Sequence, residues 1–116
     1  MTADVTIYHN PRCTKSRQTL TLLRENGVEP DVVEYLKTPL TKSGIQKLVR
    51  QLGIPATDLL RTKEKLFREV CPDSSPSNAE ALQLMADHPR LMERPIVVTK
   101  KGAAIGRPPE NVLEVI

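Results

Sequence analysis

The sequence is poor in aromatic residues, with one Phe, two Tyr and no Trp among 116 residues. Proteins that hold single-stranded nucleic acid usually stack its bases on aromatic side chains, and such side chains are scarce here. A strongly basic balance is missing as well, because 17 basic residues are nearly offset by 14 acidic ones, for a net charge of +3. The composition therefore predicts that nucleic acid is not a partner.

The sequence also has no long apolar run. A membrane-spanning helix needs about 20 predominantly apolar residues, and no segment approaches that length. The first ten residues, MTADVTIYHN, include an acid and do not have the basic start and apolar stretch of a secretory signal. We expect a cytoplasmic protein without a membrane partner, and the length suits a single domain, 1–116, and a monomer.

Cysteine is rare, and the two that occur, Cys13 and Cys71, are far apart. A structural disulfide is not expected in a chain without an export signal, and the spacing does not match that of metal ligands. The sequence predicts two free thiols, no metal site and no tightly bound cofactor.

The first part of the chain is typical of a βαβ unit. The segment DVTIYHN alternates apolar residues as a strand does, and TKSRQTLTLLRENG places Leu20 and Leu23 at helical spacing and ends at Gly27. Residues 31–36, DVVEYL, are β-branched and aromatic, which predicts a second strand. The helical crossover between the two strands is expected to be right-handed.

The middle of the chain is predicted to be helical. A helix is expected to begin after Thr41, its N-cap, and to stop at Gly53, since apolar residues recur at helical spacing between them. Further helices are predicted at 56–70 and 78–88, the second capped by Ser77, with the loop CPDSSPSN between them. One face of the last helix is expected to hold Ala79, Leu82, Met85 and Ala86.

The chain closes with a predicted β-hairpin and a helix. An apolar strand at 96–99 is followed by a turn through Lys101 and Gly102, a short second strand, and a helix beginning near Pro109. The whole order, βαβ, helices, ββα, describes an α/β fold with a small mixed sheet and a helical insertion at about 41–92.

The segment HNPRCTKSRQTL, residues 9–20, carries the clearest chemical signal. It places Cys13 where the strand ends and the helix begins, so the unpartnered N–H groups of the first helical turn favour the anionic form of the sulfur. Lys15 and Arg17 occupy the first turn, where acidic residues are preferred. A bound anion would compensate, although solvated charges at an edge give the same pattern. Residue 16 is serine, so the helix start has no second cysteine that could close a disulfide.

His9 and Cys71 are less informative. A protonated His9, four residues before Cys13, would help to hold the sulfur as a thiolate, but a histidine that caps a strand end gives the same sequence. Cys71 precedes Pro72 in a loop-like region without a helix start of its own, and we predict no role for it.

Four motifs together resemble the glutathione- and glutaredoxin-coupled arsenate reductases. They are TIYHNPRCTKSR around Cys13, LLR ending at Arg61, ERPIVV containing Arg94, and IGRPPENVLEVI containing Arg107. They occur in the order and spacing of the family and extend over nearly the whole chain. Gly106 stands where certain relatives have another cysteine. The resemblance implies a thioredoxin-like fold with an inserted helical region, in agreement with the order of elements above.

The resemblance also implies roles for individual residues. Cys13 would be the nucleophile, glutathione a co-substrate and glutaredoxin a protein partner. His9 would influence the ionisation of the sulfur, and Pro95 matches a proline that is cis in thioredoxin-like folds. The arsenate oxyanion would be held by Arg61, Arg94 and Arg107, with supporting roles for His9, Asn10, Thr14, Ser16 and Pro95.

Two other functions fit parts of the sequence. A glutaredoxin-like thiol oxidoreductase acting on glutathione mixed disulfides would use the same single cysteine, but it would not need three arginines around a small tetrahedral anion. A non-catalytic regulator of the same fold that binds RNA polymerase would use the basic helix start to hold an acidic protein surface. Such regulators often carry a cysteine pair as a redox switch, and Ser16 argues against that switch here.

Overall fold

The computed structural model describes residues 5–71 and 75–116. These residues form two compact units: a sheet unit, built from the chain up to Thr38 and from Arg94–Ile116, and a helical unit, Pro39–Glu93. The predicted insertion at about 41–92 lies within the helical unit. Within the described residues, no helix is both long and apolar enough to cross a membrane.

The sheet unit contains a mixed sheet of four strands, which are β1 (Thr6–Tyr8), β2 (Asp31–Val33), β3 (Ile96–Thr99) and β4 (Gly102–Ile105). Their spatial order is β2-β1-β3-β4. β1 pairs in parallel with β2 and antiparallel with β3, and β3 pairs antiparallel with β4. Helix α1 (Thr14–Glu25) connects the parallel pair, so the predicted βαβ unit is confirmed.

The core of the sheet unit ties α1 to the sheet. Leu23 of α1 is fully buried with Ile7 of β1, Val97 of β3 and Val112 near the C-terminus. Burying side chains of this size typically contributes about 1.5–3 kcal/mol each. The helix ends where the sequence predicts, because Gly27 has a φ of 79°, a left-handed conformation that glycine adopts without steric cost. The core therefore holds α1, and with it the start of the helix, in a defined place on the sheet.

The second strand is shorter than predicted. It ends at Val33 rather than at residue 36, because the chain turns there. The amides of Lys37 and Thr38 both donate to the carbonyl of Glu34, at 2.9 and 3.0 Å. These two hydrogen bonds stabilise a turn at residues 34–38, which prevents the strand from continuing despite the β-propensity of residues 34–36.

The C-terminal hairpin and helix differ slightly from the prediction. Gly102 already pairs with Thr99 at the start of β4, so the turn consists of Lys100 and Lys101. The helix expected near Pro109 begins there, but Pro109–Glu114 is a 3₁₀ helix. Consistent with 3₁₀ geometry, the hydrogen bond that closes it joins residues three apart, from the amide of Val115 to the carbonyl of Val112.

Helix α2 (Lys42–Leu52) of the helical unit is bounded as predicted. The hydroxyl of Thr41 accepts a hydrogen bond from the amide of Gly44 at 3.0 Å, and Gly53 follows the helix with a left-handed φ of 71°. The buried face of this helix consists of Ile45, Leu48 and Val49.

The helix predicted at 56–70 is in fact two short helices, α3 (Ala56–Leu59) and α4 (Lys65–Val70). Between them the amide of Arg61 donates to the carbonyl of Leu91 at 2.6 Å. This bond to a distant segment replaces a helical one, so a continuous helix does not form.

Helix α5 (Asn78–Asp87) begins with the predicted cap. Ser77 and Glu80 exchange hydrogen bonds in a capping box. Of the predicted face, Leu82 and Met85 are buried and Ala86 is half-buried, but Ala79 is exposed, so its assignment was wrong. Ala81 lies about 200° around the helix from Ala79 and is buried instead. The predicted loop before this helix includes residues 72–74, which lie outside the described residues.

Candidate active site

Cys13 is the N-cap residue of α1, as the sequence predicts. Its backbone is extended, with φ −95° and ψ 124°, and its amide donates to the carbonyl of Asn10 at 3.0 Å. No side chain caps this helix start, and Cys13 itself is buried, with 9% of its surface exposed. The N–H groups of the first turn therefore lie unsatisfied at the end of the helix that carries the sulfur, and the helix dipole favours negative charge there.

Arg107 is the cation that contacts the sulfur. Its Nη2 lies 3.6 Å from Cys13 Sγ, and its Nε donates to the carbonyl of Arg94 at 2.8 Å. The hydrogen bond from Nε to the carbonyl of Arg94 fixes the plane of the guanidinium group, and this orientation keeps Nη2 next to the sulfur. The structure thus connects three of the predicted site residues: Arg107 contacts the sulfur of Cys13 and the backbone carbonyl of Arg94.

Arg94 presents a buried donor. Its Nε is buried and has no hydrogen-bond partner among the described residues. Leaving a buried polar group unpaired typically costs about 1–3 kcal/mol, and more for a charged one. The peptide bond between Arg94 and Pro95 is cis, as the resemblance implies, and so is the bond between Arg107 and Pro108. A bound oxyanion would satisfy the free donor of Arg94.

Arg61 lies in the helical unit, where two carboxylates surround its guanidinium group. Its Nη1 is 3.0 Å from Glu64 Oε1, and its Nε is 2.9 Å from Glu93 Oε1. The side chain is only 21% exposed. Any oxyanion that uses Arg61 must therefore share its charge with two acids, whereas no ion pair of Arg94 or Arg107 occurs within the described residues.

His9 is buried at the end of β1, and its surroundings favour the neutral imidazole. Burial lowers its pKa below the ordinary value of 6.5, the neighbouring Glu34 carboxylate opposes that shift, and Arg17 and Arg24 add to it. Of the two possibilities left open by the sequence, a protonated helper of the thiolate is therefore disfavoured. Because protonating His9 costs more free energy in the folded state than in the unfolded state, the contribution of the neutral imidazole to the stability of the fold is lost as the pH falls below about 6.5.

Ser16 ties His9 to the loop that leads to Cys13. Its Oγ lies 2.6 Å from His9 Nδ1 and accepts a hydrogen bond from the amide of Asn10 at 3.0 Å. Because that oxygen receives the amide proton, its own hydroxyl proton is free to be donated to the unprotonated Nδ1 of a neutral imidazole. Ser16 is fully buried. Ser16, which occupies the position of a possible second cysteine, therefore stabilises the loop by connecting His9 to the amide of Asn10.

Arg17 clamps the same loop, a role that the sequence analysis missed. Its Nη1 donates to the carbonyl of Pro11 at 2.9 Å, and its Nη2 donates to Thr14 Oγ1 at 3.3 Å. The amide of Arg12 also donates to Asn10 Oδ1 at 3.0 Å. Side chains three residues apart on a helix are neighbours, so the contact between Thr14 and Arg17 could have been predicted from their spacing.

The two thiols are free and lie in different units. Cys71 follows the end of α4 in the helical unit and is half-buried. In the part of the chain that the structure describes, no group of three or more His, Cys, Asp or Glu side chains is placed to hold a metal ion.

The close packing around Gly106 is a second feature that the sequence did not reveal. A Cβ at this position would lie 2.5 Å from Thr19 Oγ1 and 2.8 Å from Pro95 Cγ. Thr19 is fully buried and its hydroxyl donates to the carbonyl of Lys15 at 2.8 Å, so it is not free to move aside. The absence of a side chain at residue 106 therefore lets β4 approach both α1 and the cis proline.

Replacing Gly106 by Ala is expected to lower the free energy of unfolding by about 1–3 kcal/mol, the usual cost of overpacking a well-packed site. Urea denaturation of the variant and the parent protein measures the difference. Gly44→Ala is the matched control. The atom nearest to a Cβ there is Leu40 Cδ2, the end of a side chain, at 3.3 Å, and alanine favours a helix over glycine by about 0.5–1 kcal/mol, so we expect a smaller loss of stability than for Gly106→Ala. An unchanged unfolding midpoint for Gly106→Ala would contradict the close packing.

The order of the sheet, the cysteine at the start of α1 and the cis proline at residue 95, directly before β3, define a thioredoxin-like protein. Its family follows from the sequence as a whole. The chain belongs to the ArsC family, whose model matches residues 8–115.

Known proteins that resemble this chain cover almost all of it. YfgD, an uncharacterized protein of Escherichia coli K12, is 55% identical over 118 aligned residues, which span 100% of this chain and 99% of YfgD. An arsenate reductase of Neisseria meningitidis is 43% identical over 97% of this chain and 98% of its own length. The solved structure of an arsenate reductase from Vibrio cholerae is 44% identical and has a TM-score of 0.93, with 100% of both chains covered.

Proposed function

We propose that this protein reduces arsenate to arsenite, with Cys13 as the nucleophile and with glutathione and glutaredoxin as the sources of electrons. The observation that carries the proposal is the contact of 3.6 Å between Cys13 Sγ and Arg107 Nη2 at the start of α1. The arsenate reductases of Neisseria meningitidis and Vibrio cholerae, at 43% and 44% identity, support arsenate as the substrate.

The proposed arginines suit a tetrahedral oxyanion, because planar guanidinium groups stay charged and donate several N–H bonds in a fixed geometry. Arg107 stands next to the sulfur, and Arg94 offers its buried, unpartnered Nε. We propose Arg61 as the third ligand of arsenate, which it would bind in competition with Glu64 and Glu93.

In the first proposed step, the Cys13 thiolate attacks arsenic(V) in arsenate. A sulfur–arsenic bond forms, and one arsenate oxygen leaves as water after taking up protons. No electrons are transferred in this step, which creates the covalent intermediate. Thiolate and arsenate are both anions, so the cationic groups beside the sulfur lower the barrier by reducing their repulsion.

In the second step, a glutathione thiolate attacks the sulfur of Cys13. A sulfur–sulfur bond forms as the sulfur–arsenic bond breaks, and the electron pair of the broken bond stays on arsenic, which becomes arsenic(III). The product is a mixed disulfide between Cys13 and glutathione. A glutaredoxin thiolate then attacks the glutathione sulfur and releases Cys13 as a thiolate, so that two electrons are delivered for each arsenate.

The remaining residues named from the sequence have proposed positioning roles. Ser16 and the neutral His9 hold the loop before the helix, together with the backbone amide of Asn10. Thr14 accepts from Arg17 and keeps its own hydroxyl proton for the sulfur or its adduct. Pro95 accepts a backbone hydrogen bond from Gly106 at 2.9 Å, which supports the segment that carries Arg107. We propose no tightly bound cofactor. Because glutathione and glutaredoxin act as electron donors in reducing compartments, we propose that the reaction takes place in the cytoplasm.

A reconstituted assay tests this function. The protein is incubated with arsenate, glutathione, glutaredoxin, glutathione reductase and NADPH, and arsenite is quantified. We expect arsenite only when arsenate and both thiol components are present, competitive inhibition by phosphate, and weaker arsenate binding as ionic strength rises. Absence of arsenite with every thiol donor would overturn the proposal. Rapid reduction of a glutathione mixed disulfide without arsenite formation would instead favour a thiol oxidoreductase.

A further inference from the structure

A groove of about 500 Å³ runs along α1 within the sheet unit. One wall is the face of α1 from Thr14 to Glu25, and the other is formed by residues 108–110. Its volume falls within the range of small-ligand sites, about 300–1,000 Å³. The two walls meet close to the reactive sulfur, because Thr14 directly follows Cys13 and Pro108 directly follows Arg107, whose guanidinium contacts that sulfur.

The charges that line the groove are separated and unpaired. Lys15 and Arg17 lie in the first turns of α1, Glu25 lies in its last turn, and Glu110 lies on the opposite wall. None of these four residues takes part in an ion pair within the described chain. Because α1 rises 1.5 Å per residue, Glu25 is about 15 Å along the axis from Lys15. On the α1 wall the groove is therefore positive beside Cys13 and negative at its far end, and Glu110 adds a negative charge on the opposite wall.

This arrangement runs against the dipole of α1. Basic residues are disfavoured at the start of a helix, yet the groove has Lys15 and Arg17 there. In the last turn Glu25 also opposes the dipole, whereas its neighbour Arg24 agrees with it. The first turn contains no acidic residue. Residues that lower the stability of a helix at its start, without an acidic residue to offset them, are typical of a binding surface.

We infer that the groove binds the γ-glutamyl arm of glutathione. This inference rests on the proposed function, in which glutathione must bring its sulfur to Cys13. The arm ends in an ammonium and a carboxylate and extends about 10 Å from the sulfur by standard bond lengths. With the sulfur at Cys13, the carboxylate pairs with Lys15 and the ammonium is directed toward Glu110, while Glu25 closes the far end of the groove.

Direct binding of S-methylglutathione, which cannot form a disulfide, tests the inference. Isothermal titration calorimetry should show about fivefold weaker binding for Glu110→Lys and for Lys15→Glu, the effect of removing one partly exposed charge pair and introducing repulsion. S-methylcysteinylglycine, which lacks the γ-glutamyl arm, should bind weakly and with the same affinity to every variant. Both substituted residues are exposed, so the variants are expected to fold.

Glu114→Lys is the matched control. It makes the same charge change on the same 3₁₀ helix, but Glu114 is exposed and does not line the groove. Its affinity for S-methylglutathione should equal that of the parent protein. If arsenate is reduced, the KM for glutathione should rise about fivefold in Glu110→Lys while the KM for arsenate stays the same.

Two results would overturn the groove assignment: equal S-methylglutathione affinities for the parent and both groove variants, or NMR shift changes confined to residues outside α1 and 108–110. The proposed function fails on a different result. A protein that binds S-methylglutathione in the groove but forms no arsenite would retain the assignment and contradict the reductase activity.

Discussion

Replacing Cys13 by Ser is expected to lower arsenite formation by at least a thousandfold, the scale seen when an enzyme loses its covalent nucleophile. Serine has the shape of cysteine with a slightly smaller terminal atom, so we expect the fold around the start of α1 to be preserved. A hydroxyl group is not ionised at neutral pH and cannot form the sulfur–arsenic bond. The measurement is arsenite released per protein in the reconstituted assay, with circular dichroism to verify folding.

Cys71→Ser is the control for the first experiment. This second thiol is half-buried at the end of α4, in the helical unit, and forms no disulfide. Its replacement should leave turnover within about twofold of the parent, as for a substitution away from the reacting atoms. Turnover by the Cys13 variant at the parental rate would exclude a Cys13 adduct, and loss of turnover in the Cys71 variant would show that a second thiol takes part.

Replacing Arg107 by Lys should lower kcat/KM for arsenate about 100-fold, comparable to the loss of one oxyanion-stabilising donor elsewhere. Lysine keeps the positive charge, so the variant isolates the effect of the guanidinium fork. Arg107 reaches the carbonyl of Arg94 through Nε and the sulfur through Nη2 at the same time, and one ammonium group cannot do both in this geometry. Steady-state kinetics with varied arsenate measures the change.

Arg50→Lys is the matched control, because Arg50 is exposed in the last turn of α2 in the helical unit. The same chemical change there should have no effect on kcat/KM. If Arg107→Lys also retained the parental value, charge alone would be sufficient, and the fixed orientation of the guanidinium group would have no part in catalysis.

Elements whose limits depend on neighbouring residues were predictable from the sequence. Thr41, Gly53 and Ser77 set the ends of helices through hydrogen bonds or backbone conformations within a few residues. The break between α3 and α4 was not predictable, because it depends on the hydrogen bond between Arg61 and Leu91, which are distant in the sequence. No local pattern carries that information.

The candidate site divides in the same way. The position of Cys13 at a helix start follows from the residues around it, whereas its contact with Arg107 joins β4 to α1 and could be expected only from the resemblance to a family. The lowered pKa of His9 depends on how deeply its side chain is buried, and the alternation of apolar residues along β1 does not determine that burial. Gly106 was noticed only as a missing cysteine, since its close approach to Thr19 exists only in three dimensions.

The packing of Ser16 explains why an internal dithiol is not readily available to this loop. A cysteine there would introduce a larger atom at a fully buried position and exchange a hydroxyl that serves His9 and Asn10 for a weak donor and acceptor. The gain of a resolving thiol would thus coincide with the loss of the loop's internal anchor. A single Ser16→Cys substitution would therefore disturb the loop that it was meant to equip, which agrees with the proposal that the second thiol comes from another molecule.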